Sequence, residues 1–172
     1  MTFLHGHLTF FIDRAENLPN TDKAFFNIDS TDVTDPFVTG EMGPVWLFKT
    51  KTIDNTLNPI WQETFSIPVC HESAYIKINV RDKEHIGSES VANVYFSCED
   101  VKQGDIIQGW FDLQNNEEVC GSIKMSIQYF SRQGDTKGKD VPNVYFPVRR
   151  NNRLILYQDA DTPPLPQVNK LI

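Results

Sequence analysis

The stretch SAYIKINVRD, residues 73–82, decides the fold prediction because its apolar residues recur at every second position. In an extended chain this spacing places Ile76, Ile78 and Val80 on one face and polar residues on the other. Such alternation is typical of a β-strand that buries one face. The strand ends at Asp82, where the chain turns acidic.

Strand-like segments fill most of the remaining sequence. The same period of two runs through HLTFFID (7–13) and SIKMSIQYF (122–130), and further candidates are Pro36–Glu41, Trp46–Thr52, Ile60–Val69, Val91–Ser97 and Gln108–Leu113. Turn-forming residues separate these segments, and only CEDVKQG (98–104) favours a helical turn. Short strands without a long helix predict an all-β fold, an eight-stranded antiparallel β-sandwich.

The charge distribution restricts the class of partner. The chain has 172 residues and a net charge of −7. Residues 1–138 hold 11 Lys and Arg against 20 Asp and Glu, whereas residues 139–172 hold 5 against 3. An acidic domain lacks the clustered cations that nucleic acid requires, so no nucleic-acid partner is expected. It is also repelled by an anionic membrane unless a bound cation reverses the local charge.

Other features predict a cytoplasmic protein without catalytic residues. Cys70, Cys98 and Cys120 are odd in number and scattered, which favours reduced thiols that are buried or half-buried. No apolar run approaches the ~20 residues of a membrane helix, and the N-terminus lacks a signal-peptide pattern. The motifs H-E-x-x-H, C-x-x-C and G-x-S-x-G do not occur.

Acidic residues gather where predicted strands meet loops. NVRDKEHIGSE (79–89) follows the strand described first, and by itself it is compatible with a solvated turn. A sandwich, however, collects its loops at two ends, so separate acidic loops converge. The carboxylates concerned are Asp22, Asp35, Asp82, Glu84 and Glu89. Carboxylates brought together repel one another without a cation, and calcium accepts six to eight oxygen ligands in irregular geometry.

Four segments in order resemble one family across most of the chain. LPNTD, TDPFV, TLNPIWQETFSI and INVRDKEHIGSESVANVYF are similar to the C2 domain, a calcium- and phospholipid-binding Greek-key β-sandwich. The resemblance places Asp22 and Asp35 in the first calcium loop, and Asp82, Glu84 and Glu89 in the third. It adds the backbone carbonyls of Thr21 and Lys83 as ligands. Both glutamates stand where many family members have Asp, which predicts weaker binding.

Two residues between the first-loop aspartates have an open role. Asp29 and Asp32 lie in a loop that is longer than the compact family version. Each of them either replaces a missing calcium ligand or lies on the loop surface without binding calcium.

A second resemblance concerns the two ends of the chain. HGHLTFFIDRAENLPN and VPNVYFPVRRNNRLILYQDADTP are similar to the N-terminal region of plant-type phospholipase D. This implies a C2 domain over residues 1–131. Residues 132–172 then form a linker and two strands, meeting at Asn151–Asn152, that lead toward a missing catalytic region. The family signature H-x-K-x-x-x-x-D is absent, so this chain is not expected to be an enzyme by itself.

Two groups of residues are candidates for lipid contact. The first group lies in the predicted loops. Phe25, Phe26 and Ile28 either pack locally or insert into the headgroup–acyl boundary. His85 and Ile86 form the second inserting element. Lys49 and Lys51, on one face of a predicted strand, and Lys77 resemble the basic groove through which C2 domains contact phosphoinositides. They are equally compatible with a solvated strand face.

The functional hypothesis is calcium-dependent binding to anionic phospholipid membranes. A cytoplasmic protein then joins the membrane peripherally when calcium rises, and brings the catalytic domain of the same polypeptide to its substrate. The alternative is a calcium-independent protein-interaction or phosphoinositide-binding module on the same fold.

Overall fold

The computed structural model describes residues 1–21, 33–132, 144–150 and 153–158. These ranges contain ten strands and one short helix. The elements are β1 (Thr2–Glu16), β2 (Pro36–Met42), β3 (Val45–Lys49), β4 (Ile60–Ser73), β5 (Tyr75–Lys83), β6 (Ser88–Ser97), α1 (Cys98–Val101), β7 (Ile106–Asn115), β8 (Glu118–Ser131), β9 (Val144–Arg150) and β10 (Arg153–Gln158).

The predicted apolar alternation produces the core. In β5, Ile76, Ile78 and Val80 are fully buried, whereas Lys77 and Arg81 on the other face are half-buried. The equivalent inward positions of β1 and β8 are buried in the same way. One apolar cluster contains residues from all of the first eight strands, so the two faces of the fold share a single core.

The strand order is β3-β2-β5-β6-β7-β8-β1-β4, and every step is antiparallel. The step from β6 to β7 has one register pair, Asn93 with Gln114, whereas the neighbouring steps are extensively paired. This weak connection separates two four-stranded halves that pack across the core. The predicted eight-stranded antiparallel sandwich is confirmed, as is the helical turn at α1.

The strand predicted over Trp46–Thr52 is too long. β3 ends at Lys49, where side chains take over part of the hydrogen bonding, although the Thr50 N–H still donates to the Val38 carbonyl at 2.9 Å. The Thr50 hydroxyl oxygen accepts a hydrogen bond from the Val38 N–H at 2.9 Å, and the Lys51 N–H donates to Glu63 Oε1 at 2.9 Å. Lys51 therefore follows β3, whereas the sequence predicted that it lies within the strand together with Lys49.

A close approach in the core explains one glycine. Gly40 lies opposite Phe48 in the β2–β3 register, and a Cβ atom at this position would overlap the Phe48 ring. The ring occupies that space and stacks on Phe65, with ring centroids 4.4 Å apart. Gly40 thus allows β3 to pack toward β4.

The C-terminal strands extend the sheet as predicted. β9 pairs antiparallel with β10, beginning with Arg150 opposite Arg153, and parallel with the start of β7. The predicted turn at Asn151–Asn152 and the predicted linker over 133–143 lie outside the described residues.

The cysteines differ in exposure. Cys98 is buried and Cys120 is half-buried, but Cys70 is exposed, so the prediction of three buried or half-buried thiols is wrong for Cys70. Burial raises the pKa of both the Cys98 and the Cys120 thiol. Within the described part of the chain, no helix is long and apolar enough to cross a membrane.

Candidate functional site

Asp82 joins three segments at one end of the sandwich. Its side chain is buried, with 1% of the residue surface exposed. Oδ1 accepts a hydrogen bond from the Asp35 N–H at 2.8 Å, and Oδ2 accepts one from the Thr21 hydroxyl. Thr21 follows β1 and Asp35 precedes β2. One carboxylate at the end of β5 therefore fixes the positions of both neighbouring segments.

Asp35 lies beside Asp82 and is held from two sides. Its carbonyl accepts a hydrogen bond from the Lys83 N–H at 3.2 Å, and its Oδ1 accepts one from the Asn55 N–H at 2.7 Å. Pro36 is the register partner of Asp82. These contacts bring Asp35 and Asp82 together, although 47 residues of sequence separate them.

Hydrogen bonds connect the residues that follow β1 with those that precede β2. The Thr21 N–H donates to the buried Thr34 Oγ1 at 3.2 Å, and the Thr34 hydroxyl donates to the Pro19 carbonyl at 3.2 Å. Six residues singled out in the sequence lie between these threonines, outside the described residues: Asp22, Phe25, Phe26, Ile28, Asp29 and Asp32.

The hairpin between β5 and β6 carries the remaining predicted loop residues. The Glu84 N–H donates to the Gly87 carbonyl at 3.2 Å, and Gly87 has a φ of 87°, which favours glycine. Glu84, His85 and Glu89 are exposed, and Ile86 is 95% exposed. Over residues 1–21 and 33–132, no three side chains of Asp, Glu, His or Cys lie close enough together to hold a metal ion. Glu89 is the register partner of Asp82 across the hairpin, but neither glutamate joins the two aspartates in such a group.

Cations cover the outward side of the first half of the sandwich. We call Lys49, Lys77 and Arg81, from β3 and β5, the basic face. The Lys49 ammonium lies 4.2 Å from the centre of the Phe37 ring, and Arg81 lies 5.3 Å from the centre of the Trp46 ring. These distances permit cation–π contacts. Lys51 is exposed beyond the end of β3 and is not part of this arrangement.

A glutamate lies at the centre of the basic face. Glu41 Oε1 accepts hydrogen bonds from the Thr39 hydroxyl at 2.7 Å and from Asn79 Nδ2 at 3.1 Å. Its carboxylate also forms ion pairs with Lys77 and Arg81, each at 3.8 Å. Thr39 and Asn79 are fully buried beneath these longer side chains.

A comparison with known protein families gives a match over most of the chain. A family model for the C2 domain matches residues 6–113, which is more than half of the chain. This chain belongs to the C2 domain family.

The C2 domain resembles the N-terminal part of plant phospholipases D. It is 31% identical, over an alignment of 201 positions, to phospholipase D gamma 3 of Arabidopsis thaliana, covering 96% of this chain and 23% of that protein. It is 30% identical to phospholipase D beta 1 of the same plant, covering 93% and 18%. The chain therefore spans less than a quarter of the length of these relatives.

A solved structure supports the fold independently. A calcium-bound structure of two C2 domains of Extended-Synaptotagmin 2 superposes on this C2 domain with a TM-score of 0.61 and 17% identity. The match covers 74% of this chain and 46% of that one. At this level of identity, the similarity concerns the fold alone.

The described part of the loop end offers calcium a suitable but incomplete set of donors. Asp35 and Asp82 supply carboxylate oxygens, which calcium prefers. Each carboxylate oxygen can accept more than one contact, so the hydrogen bonds from Thr21, Asp35 and Asn55 do not exhaust their capacity. The chemistry fits, but two side chains cannot complete a site that needs six to eight oxygens.

Sequence reasoning missed Arg81 of the basic face and the Glu41 carboxylate that pairs with it. Arg81 lies four positions after Lys77, so the alternation of a strand places both side chains on the same face, and the sequence could have revealed this. Glu41 shares a face with Thr39 in the predicted strand over 36–41, but local alternation gives no indication of its partners on β5. Register brings Glu41 opposite Lys77, and only the paired strands reveal this.

Proposed function

We propose that this C2 domain binds calcium at its acidic loop end and through it binds anionic phospholipid membranes. The supporting observation is the position of the buried Asp82 carboxylate, which contacts Asp35 and Thr21 on either side of the segment containing Asp22. The proposed ligands are Asp22, Asp35, Asp82, Glu84, Glu89 and the backbone carbonyls of Thr21 and Lys83.

The charge of the loop end explains why binding depends on calcium. Asp35 and Asp82 lie together without an ion-pair partner among the described residues, and their negative charge repels an anionic leaflet. Bound calcium supplies compensating positive charge and coordination positions for lipid phosphate oxygens. Glu84 and Glu89 are exposed on the neighbouring hairpin and must approach the aspartates to act as ligands.

Apolar loop residues add a second contribution. Ile86 is almost fully exposed at the tip of the β5–β6 hairpin, next to His85. Burying its side chain in the headgroup–acyl boundary contributes about 1.5–3 kcal/mol. Phe25 and Phe26 are proposed to insert beside it, and Lys49, Lys51 and Lys77 to contact anionic headgroups, including phosphoinositides.

The similarity to phospholipases D suggests what the membrane contact serves. Residues 1–131 form the C2 domain in this proposal, and residues 132–172 lead toward a catalytic region. The chain itself has no catalytic role; it carries that region from the cytoplasm to its phospholipid substrate as a peripheral membrane protein.

Co-sedimentation with vesicles of phosphatidylcholine and phosphatidylserine tests the proposal. We expect binding in calcium and release when a chelator is added, whereas pure phosphatidylcholine vesicles give little binding in either condition. Equal binding with and without calcium, or no binding in both, contradicts the proposal.

The basic face favours a second candidate, a calcium-independent phosphoinositide-binding or protein-interaction module. It places Lys49, Lys77 and Arg81 on the outward surface of β3 and β5, where Lys77 and Arg81 pair with Glu41. Calorimetric titration separates the two candidates. Heat of binding and thermal stabilisation by millimolar calcium support the first, and their absence supports the second.

A further inference from the structure

The basic face already contains an anion of its own. Glu41 occupies the position between Lys77 and Arg81, and only 12% of its side chain is exposed. The Thr39 hydroxyl and the Asn79 amide donate hydrogen bonds to the same carboxylate. Two cations, a hydroxyl and an amide around one point are the donors that a phosphate group also uses.

The surrounding contacts hold these donors in place. Arg81 donates from Nε to Ser88 Oγ at 2.9 Å and from Nη2 to the Ser88 carbonyl at 3.1 Å. Asn79 Oδ1 accepts a hydrogen bond from the Ser90 hydroxyl at 2.7 Å, which orients its amide toward Glu41. The Lys77 and Arg81 side chains remain 25% and 20% exposed, so an incoming anion can still reach them.

We propose that Glu41 is the residue that limits phosphate binding on the basic face. Its carboxylate neutralises Lys77 and Arg81 and repels a headgroup phosphate that approaches them. Only a headgroup with several phosphates, such as phosphatidylinositol bisphosphate, has enough charge to compete. This inference rests on the proposed lipid contact of the basic face and identifies the residue that sets its selectivity.

The test measures calcium-free binding of the full 172-residue chain and its Glu41→Gln variant to vesicles. The glutamine keeps the length of the side chain and a carbonyl that accepts from Thr39 and Asn79, but it removes the charge. With phosphatidylcholine vesicles containing phosphatidylinositol bisphosphate, we expect the variant to bind about tenfold more tightly, equivalent to ~1.4 kcal/mol. Vesicles of phosphatidylserine with the same total charge should gain at least as much, because the neutral glutamine no longer excludes singly charged headgroups.

Two controls separate a local effect from a change in net charge. Glu72→Gln removes an exposed carboxylate from the end of β4, in the other half of the sandwich, and should leave binding unchanged. Adding Lys77→Gln to the Glu41→Gln variant should abolish the gain. An equal gain in the Glu72 variant, or a gain that survives loss of Lys77, overturns the proposal.

Soluble inositol hexakisphosphate distinguishes a membrane contact from binding of any polyphosphate. A gain with vesicles, with or without a gain for the soluble anion, supports the proposal, whereas a gain for the soluble anion alone contradicts a membrane role. Thermal unfolding checks that the variants are folded, and Glu41→Ala provides a second removal of the charge. A folded Glu41 variant without any gain overturns the inference. Because every arm contains a chelator, these results do not depend on whether calcium promotes membrane binding.

Discussion

Replacing Asp82 separates its structural role from its proposed role in calcium binding. Asp82→Ala leaves the Asp35 N–H and the Thr21 hydroxyl without their acceptor at a buried position. An unsatisfied buried donor costs about 1–3 kcal/mol. Thr21 is half-buried, so water partly compensates there. We therefore expect a loss of about 2–4 kcal/mol in the free energy of unfolding without calcium.

Asp82→Asn should behave differently. Its carbonyl can still accept from the Asp35 N–H, and its amide can donate to the Thr21 oxygen. The weaker, neutral hydrogen bonds are offset because a buried charge is removed, so stability without calcium should change by no more than about 1 kcal/mol. Calcium at one hundred times its dissociation constant should stabilise the unchanged protein by about 2.7 kcal/mol, and neither variant should gain this stabilisation.

Urea unfolding, followed by tryptophan fluorescence in chelator and in calcium, measures both effects. Asp54, an exposed loop aspartate, provides matched controls: Asp54→Ala and Asp54→Asn should unfold like the unchanged protein in each condition. Equal stability of the Ala and Asn variants at position 82 in chelator would refute the assigned hydrogen-bond role. Full calcium stabilisation of Asp82→Asn would refute the proposed role as a ligand.

Two further predictions concern exposed residues. Ile86→Ala should weaken calcium-dependent vesicle binding roughly tenfold without changing stability, because the side chain is 95% exposed. The control is Val45→Ala, in a half-exposed apolar position at the other end of the sheet. Equal losses of binding in the two variants would argue against insertion of Ile86. At mildly alkaline pH, a thiol reagent should modify the exposed Cys70 at once and Cys98 only on unfolding, because burial raises the Cys98 pKa and blocks access. Equal native rates for the two thiols would contradict this prediction, and Cys70→Ser assigns the fast phase.

Local pattern was sufficient for the sheet. Alternation along β1, β5 and β8 identified the inward residues, because side chains of an extended strand point alternately to the two faces. The pattern was less reliable at strand ends. Beyond Lys49, the Thr50 and Glu63 side chains accept hydrogen bonds from the Val38 and Lys51 N–H groups, and the alternation of apolar residues does not reveal such contacts.

The acidic loops show a similar limit. The sequence grouped Asp82, Glu84 and Glu89 because they are neighbours in the chain. In the folded protein, Asp82 is buried against Thr21 and Asp35, while both glutamates face solvent on the hairpin. Nearness in sequence therefore did not predict which of these carboxylates is buried.

The sequence by itself determined the class of fold, the C2 family and the acidic character of the loops, because these follow from alternation, residue type and motif order. Only the tertiary structure decided that Asp82 joins Thr21 and Asp35, and that Glu41 lies between Lys77 and Arg81. The Asp82 bonds connect residues 61 and 47 positions apart, and the Glu41 contacts cross from β2 to β5. Strand register and burial create both arrangements, and neither is a property of any local segment.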